Sequence, residues 1–234
     1  MARLARLAAA GQAHLLMQRG NNGQAVFIDR ADRESYLQWL REAAAANEVA
    51  IHAHALTDNQ VYLLATPGDA GGLSRMMQAL GRRYVARFNR RHGRSGTLWE
   101  GRFRATVVEA EHHLQACMCF VELAPVRAGL ARESHEYAWS SARHHLGWVV
   151  DPLLTEHPLY WAIGNTPFER EAAHRQLLEQ GLTVEQTRAI ADATSKGWAL
   201  GSDGFAAMLE ECTLRRVRPG RRGRPRKLVH QAAK

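Results

Sequence analysis

Two runs bearing histidine and tyrosine, and two rich in arginine, are where this 234-residue chain has residue types and spacings that could do chemistry. His52 and His54 stand two apart in Ala50-Ile51-His52-Ala53-His54-Ala55. Side chains two apart on a strand share a face, so a divalent cation could bind there; ordinary strand histidines are the plainer reading. Gln60-Val61-Tyr62 follows a polar turn and presents Gln60 and Tyr62 on one face of a second strand. Arg75, Arg82, Arg83, Arg87, Arg90 and Arg91 are interleaved with Tyr84 and Phe88 and run on into a loop holding Arg94. Such a run is either a solvated basic face or a nucleic-acid contact. The dominance of Arg, the aromatics and the Gly-bounded loop favour nucleic acid, and Arg82, Arg83, Arg90, Arg91 and Arg94 are its candidate contacts. The fourth run, Arg222-Gly223-Arg224-Pro225, lies in a tail that cannot pack a core and is expected to be disordered when free.

Elements must position these residues. Val49, Ile51, Ala53 and Ala55 alternate with His52 and His54, and Val61, Leu63 and Ala65 alternate with Tyr62 and Leu64, the period of two that strands require. Thr57-Asp58-Asn59 suits the turn between them. His14 to Gln18 reads as an opening strand that enters Arg19-Gly20-Asn21-Asn22. Asp29 to Asn47 reads as a helix capped by Asp29 or Asp32, with Tyr36, Leu37 and Leu40 on its apolar stripe. A long helix opens at Gly71-Gly72-Leu73-Ser74 and carries Met76, Met77, Leu80, Tyr84, Val85 and Phe88 at helical spacing. Thr97 to Val108 reads as one more strand, on which Trp99 either stacks an unpaired base or packs. Ala110 to Glu122 reads as a helix. Further on, Phe168–Gly181, Thr183–Gly197 and Ser202–Cys212 read as short helices bounded by Gly, Ser or Thr.

Charge is unevenly placed. The formal net charge is +8 and the sequence pI about 10.0. From Leu214 onward there are nine Lys/Arg and no acids, which leaves 22 bases against 23 acids before it. Basicity is therefore a tail property and points to a polyanion. Cys117, Cys119 and Cys212 give no even disulfide framework or zinc spacing, which fits a reducing cytoplasm. The N-terminus is too polar for a signal peptide, and no run reaches the roughly 18 apolar residues of a membrane span.

Three phrases carry a family resemblance: Arg19-Gly20-Asn21 after the first strand, Ser95-Gly96-Thr97-Leu98-Trp99-Glu100-Gly101-Arg102-Phe103, and Val121-Glu122-Leu123-Ala124-Pro125-Val126-Arg127-Ala128-Gly129. With Tyr137-Ala138-Trp139-Ser140-Ser141 they resemble the REP-associated tyrosine transposase branch of the single-tyrosine HUH transposases, over roughly residues 12 to 150. The resemblance implies strand cleavage through a phosphotyrosine, with a His-hydrophobic-His pair holding a divalent cation. Gln60 and Tyr62 stand where that His pair would be, and Phe120 where the tyrosine nucleophile would be. Gln is a poor metal ligand, a neutral phenol is poorer, and Phe has no nucleophilic atom. Both halves of the family's site are substituted. By the same resemblance Arg19, Arg102 and Arg127 join the DNA-contact candidates, because a guanidinium matches phosphate in bidentate fashion.

The expected fold is α+β, a ferredoxin-like βαββαβ antiparallel sheet with helices on one face, followed by a helical C-terminal extension and a basic tail. The expected division is a transposase-like domain over 1–150, a linker over 151–167, a helical extension over 168–213 and a tail over 214–234. A helix-turn-helix within the extension is left open. The tail core Arg222-Gly223-Arg224-Pro225 resembles an AT-hook, which would favour an A·T-rich minor groove; a generic basic tail would bind any phosphate backbone. The expected function is binding of hairpin or single-stranded DNA, or A·T-rich duplex through the tail, without strand cleavage. The alternatives are an active transposase or nickase with a rearranged site, using Mg or Mn, and an RNA-binding module. No cofactor is otherwise expected. The expected setting is a bacterial cytoplasm, at the nucleoid, as monomer or homodimer and away from membranes.

Overall fold

The computed structural model describes residues 6–219. It opens with β1 (Ala13–Arg19), α1 (Arg30–Ala46), β2 (Val49–Leu56), β3 (Gln60–Pro67), α2 (Gly72–Arg91), β4 (Arg104–Val108) and α3 (Ala110–Glu122). Then come α4 (Ala124–Arg127), α5 (Ala142–His145), α6 (Pro158–Trp161), α7 (Pro167–Gln180), α8 (Val184–Lys196) and α9 (Asp203–Thr213). The strands stand in the order β2-β3-β1-β4, with every neighbouring pair antiparallel. This is the ferredoxin-like βαββαβ sheet that the strand and helix order predicts. Helix starts follow the capping residues: the Asp29 carboxylate accepts from the Asp32 amide at 3.1 Å, and Thr166, Thr183 and Ser202 cap α7, α8 and α9.

The sheet is buried on both sides. Leu16, Ile51 and Leu63 pack against Tyr36 and Leu40 of α1 and Met76 and Leu80 of α2, the face expected to carry helices. Leu15, Ala53, Ala55 and Leu64 pack on the opposite face against Leu114, Met118 and Val121 of α3 and Ile190 and Ala193 of α8. The domain's helices are thus not confined to one face as expected: α3, within residues 1–150, covers the second face together with α8 of the extension. Apolar residues on both sides of β3 already require this, because Leu63 and Leu64 are both below 2% exposed. Among the described residues, no helix is long and apolar enough to cross a membrane.

Three details depart from the sequence reading. The alternation in β2 is broken by a bulge: Ile51 pairs with Ala65 but Ala53 pairs with Leu64, leaving His52 as the extra residue. Ile51 therefore faces α1 and α2 while Ala53 and Ala55 face α3. The last strand begins only at Arg104, not at Thr97. Before it, the Glu100 amide donates to the Arg19 carbonyl at 2.8 Å and Gly101 takes a φ of +68°, which ends any extended run. Trp99 is core rather than a base-stacking platform. It is 6% exposed, with its rings 6.3 Å from Tyr36 and 6.2 Å from Tyr84. Arg222, Arg224 and the rest of the AT-hook-like core lie outside the described residues.

Candidate nucleic-acid interface

The face covered by α3 and α8 changes character along β1. Ala13 and Leu15 are buried, but of the next residues on the same side Met17 is half-buried and Arg19 exposed. The register sets Tyr62 opposite Met17 and Gln60 opposite Arg19, while Arg104 of β4 opposes Met17 from the other side. These five side chains share one face at the open end of the sheet. Phe120, near the end of α3, brings its ring edge-on to Tyr62, with centroids 5.9 Å apart. The Arg127 guanidinium lies 4.1 Å over the Phe120 ring and donates to the Phe120 carbonyl at 2.5 Å. Across the opening, Ser195 and Lys196 close a hollow of about 360 Å³ with Met17, Arg19, Glu100, Arg102 and Arg104.

The electrostatics of this hollow are basic. Arg19 reaches Glu100 only at 3.9 Å, with both side chains about half exposed. Arg104 donates to the Ser195 carbonyl at 2.6 Å, and Lys196 to Asp192 at 2.9 Å. Arg102 is exposed and has no acidic partner among the described residues. Four cations, Arg19, Arg102, Arg104 and Lys196, thus line the hollow against one acid, Glu100.

The arginines of α2 form a second surface with a different economy of charge. Arg83 pairs with Glu42 and stacks 4.4 Å over Trp39. Arg91 donates to Asp29 and to the buried Asp32, each at 2.6 Å, and so ties the end of α2 to the start of α1. Arg94 donates to the Gln24 side chain at 2.7 Å. Arg82 and Arg90 are exposed and have no acidic partner among the described residues. The expected contacts are therefore split: Arg19, Arg102 and Arg127 gather at the open end, while Arg82, Arg83, Arg90 and Arg91 lie along α2 and Arg94 just past its end.

The positions expected for a metal pair do not suit one. The Tyr62 hydroxyl donates to the Gln60 side-chain oxygen, and burial pushes the Tyr62 phenol up, which keeps it neutral. An amide and a neutral phenol leave no ligand pair for a divalent cation, and Phe120 offers no hydroxyl. Nor do His52 and His54 make a metal site. His52 bonds the Thr155 carbonyl at 2.7 Å and the Thr66 hydroxyl at 2.8 Å, while His54 Nε2 meets Asp151 at 2.7 Å. The bulge turns the two rings to different partners, and both fasten residues 151–155 to the sheet. Neither Tyr84 nor Cys119 offers an attacking atom in its place. Tyr84 is buried with its hydroxyl on the Val26 carbonyl at 2.5 Å, and burial pushes the Cys119 thiol up to about 12.

One ionisable cluster escaped sequence reasoning altogether. Glu122, fully buried at the end of α3, places Oε1 2.5 Å from His145 Nδ1 of α5 and Oε2 2.6 Å from His174 Nε2 of α7. Ser141 donates to Oε1 at 2.6 Å. The two histidines hold the carboxyl well below its ordinary range despite its burial, and burial lowers His145. No local spacing could have revealed it, since its members span residues 122 to 174.

No protein-family model matches the chain, and no curated protein does. Among solved structures, a REP-associated tyrosine transposase bound to a REP hairpin aligns with a TM-score of 0.51 at 14% identity, covering 68% of this chain and 93% of that one. A provisionally named transposase from Deinococcus radiodurans aligns with a TM-score of 0.37 at 20% identity, covering 49% and 91%. Over the 68% of the chain that aligns, the fold is that of the hairpin-bound transposase.

Proposed function

We propose that this chain is a transposase-like DNA-binding protein that seats hairpin or single-stranded DNA across the open end of its sheet and does not cleave it. One observation carries the reading. The positions that the family resemblance assigns to metal and nucleophile do meet, Tyr62 against Phe120, beside a basic hollow, yet they hold no metal ligand pair and no attacking atom. A site that keeps its cations while lacking both catalytic halves favours binding over strand transfer. The hairpin in the aligned transposase structure supports the choice of ligand. Arg19 and Arg102 would meet phosphates, and the basic tail from Leu214 would add non-specific affinity.

The test is a fluorescence-anisotropy titration of a DNA hairpin with a single-stranded flank, run beside a nicking assay on the same oligonucleotide with Mg²⁺ or Mn²⁺. Binding without nicking is expected. Arg19→Gln and Arg102→Gln should each weaken binding and reduce the salt slope by about 0.7, the value of one phosphate on a single strand. A covalent protein–DNA adduct, or binding unchanged in both variants, would overturn the proposal.

A further inference from the structure

We infer that Glu122, His145 and His174 form a closed, structural binding site for a zinc-class divalent cation, which fastens α5 and α7 to the end of α3. One ligand atom from each residue lies within 4.8 Å of the other two, and all three residues are at most 1% exposed. The inference is independent of the DNA-binding reading.

Three features of the geometry support it. First, the buried carboxylate has no Lys or Arg against it: its hydrogen-bond partners are the two imidazoles and the Ser141 hydroxyl. A buried carboxylate needs a countercharge, and a cation held between the three side chains would supply it. Second, the nitrogen of each ring that faces away from Glu122, His145 Nε2 and His174 Nδ1, is buried without a hydrogen-bond partner. Nothing outside the cluster therefore fixes either tautomer. Each imidazole can shift its proton to the far nitrogen and turn a lone pair toward the carboxylate, and no other hydrogen bond breaks. Third, Ser141 already gives the carboxylate the outer hydrogen bond that metal-bound carboxylates commonly have.

The donor set selects the metal. Two imidazoles and a carboxylate suit Zn²⁺, Co²⁺ or Ni²⁺, and not the all-oxygen preference of Mg²⁺ or Ca²⁺. Tetrahedral bonds of about 2.0–2.1 Å set neighbouring donors about 3.3 Å apart, so the two short contacts would open by about 0.8 Å. The Tyr160 ring stands 4.8 Å from His145 and 5.6 Å from His174, and the buried cluster presents no ligand atom at the surface for a substrate to reach. A fourth ligand would be water. The site would stabilise the fold, not catalyse.

The experiment uses the full, untagged chain stripped with chelator and titrated with Zn²⁺ or Co²⁺. Expected are one equivalent bound, a midpoint of thermal unfolding raised by several degrees, and Co²⁺ visible bands of a four-coordinate site. His174→Gln and His145→Gln should each reduce Zn²⁺ affinity at least tenfold, whereas His135→Gln, outside the cluster, should not. Should those variants not fold, X-ray absorption on the unmodified Zn²⁺ protein decides. Two imidazoles with oxygen and no sulfur support the site; sulfur ligation, or a single imidazole, overturns it. A folded, metal-free chain that binds no Zn²⁺ at 100 µM overturns it too, and so does binding that survives both cluster substitutions. The cluster would then be held by protons alone.

Discussion

Phe120 and Glu122 leave the same helix two residues apart and enter opposite worlds. Phe120 points to the open end of the sheet, where its ring meets Tyr62 and carries the Arg127 guanidinium. Glu122 turns inward, away from solvent, and holds two histidines and a serine from two later segments, α5 with its cap and α7. The first position is where the family resemblance places a nucleophile, and it has no reactive atom. The second lies in the same phrase but is given no role by the resemblance, and it gathers three ionisable side chains, all buried. A motif thus locates a place in the fold more faithfully than it locates the chemistry there.

The largest expected effect strikes the closed side. Glu122→Ala would leave two buried imidazoles without an acceptor, and a buried donor left unsatisfied typically costs about 1–3 kcal/mol for each. Urea unfolding should show that loss, while Phe120→Tyr should stay within about 1 kcal/mol, because its ring already sits beside the basic opening. Equal losses would erase the distinction between the two positions.

The next effect concerns activity at the open end. Gln60→His/Tyr62→His supplies a ligand pair with no nucleophile, and Phe120→Tyr a nucleophile with no metal. Groups that act as a unit are strongly non-additive, so each should remain inactive. Only the triple substitution is expected to gain weak Mn²⁺-dependent nicking, read as a covalent DNA adduct. Nicking by Phe120→Tyr alone would mean that the missing metal is not what silences the site.

Why one side was legible and the other was not is a matter of range. The hairpin, the caps at Asp29, Thr183 and Ser202, and the amphipathic stripe of α2 are local patterns, and the fold confirms them. The open end was legible through short phrases, since Gln60, Tyr62 and Phe120 belong to contiguous motifs and the register brings them together. The bulge at His52 was not, because Ala-Ile-His-Ala-His-Ala reads as unbroken alternation whichever residue is extra. Apolar stripes on α3 and α8 announce burial without saying on which face of the sheet. Glu122, His145 and His174 come from three helices, and only the packing of α5 and α7 on α3 unites them.

A smaller effect is spectroscopic. All five tyrosines have their phenols pushed up, each by burial first of all. A group raised in the fold is protonated there when its unfolded counterpart has already ionised. Stability is therefore complete below about pH 10 and declines as pH rises past it. Phenolate absorbance at 295 nm should stay low at pH 10 in the folded chain and rise only as it unfolds. A tyrosine that ionises well below 10 in the folded protein would be an activated nucleophile, and the open end would then be chemically competent after all.

The smallest expected effect is that of Tyr62→Phe, and it cuts most finely between the readings. The substitution removes one hydroxyl, which donates to Gln60 on the same strand face, and leaves the ring contact with Phe120 in place. A neutral hydrogen bond contributes about 0.5–1.5 kcal/mol net. Gln60 is only partly buried, so water can replace the lost donor and the low end of that range applies. Hairpin affinity should barely change, since the charges at Arg19, Arg102 and Arg127 are untouched. If Tyr62 were instead a displaced nucleophile, the same variant would abolish nicking completely while folding and binding survived. A loss of stability above about 2 kcal/mol would mean that the Tyr62–Gln60 pair is shut away from water, and that the sheet end is as closed as the cluster around Glu122.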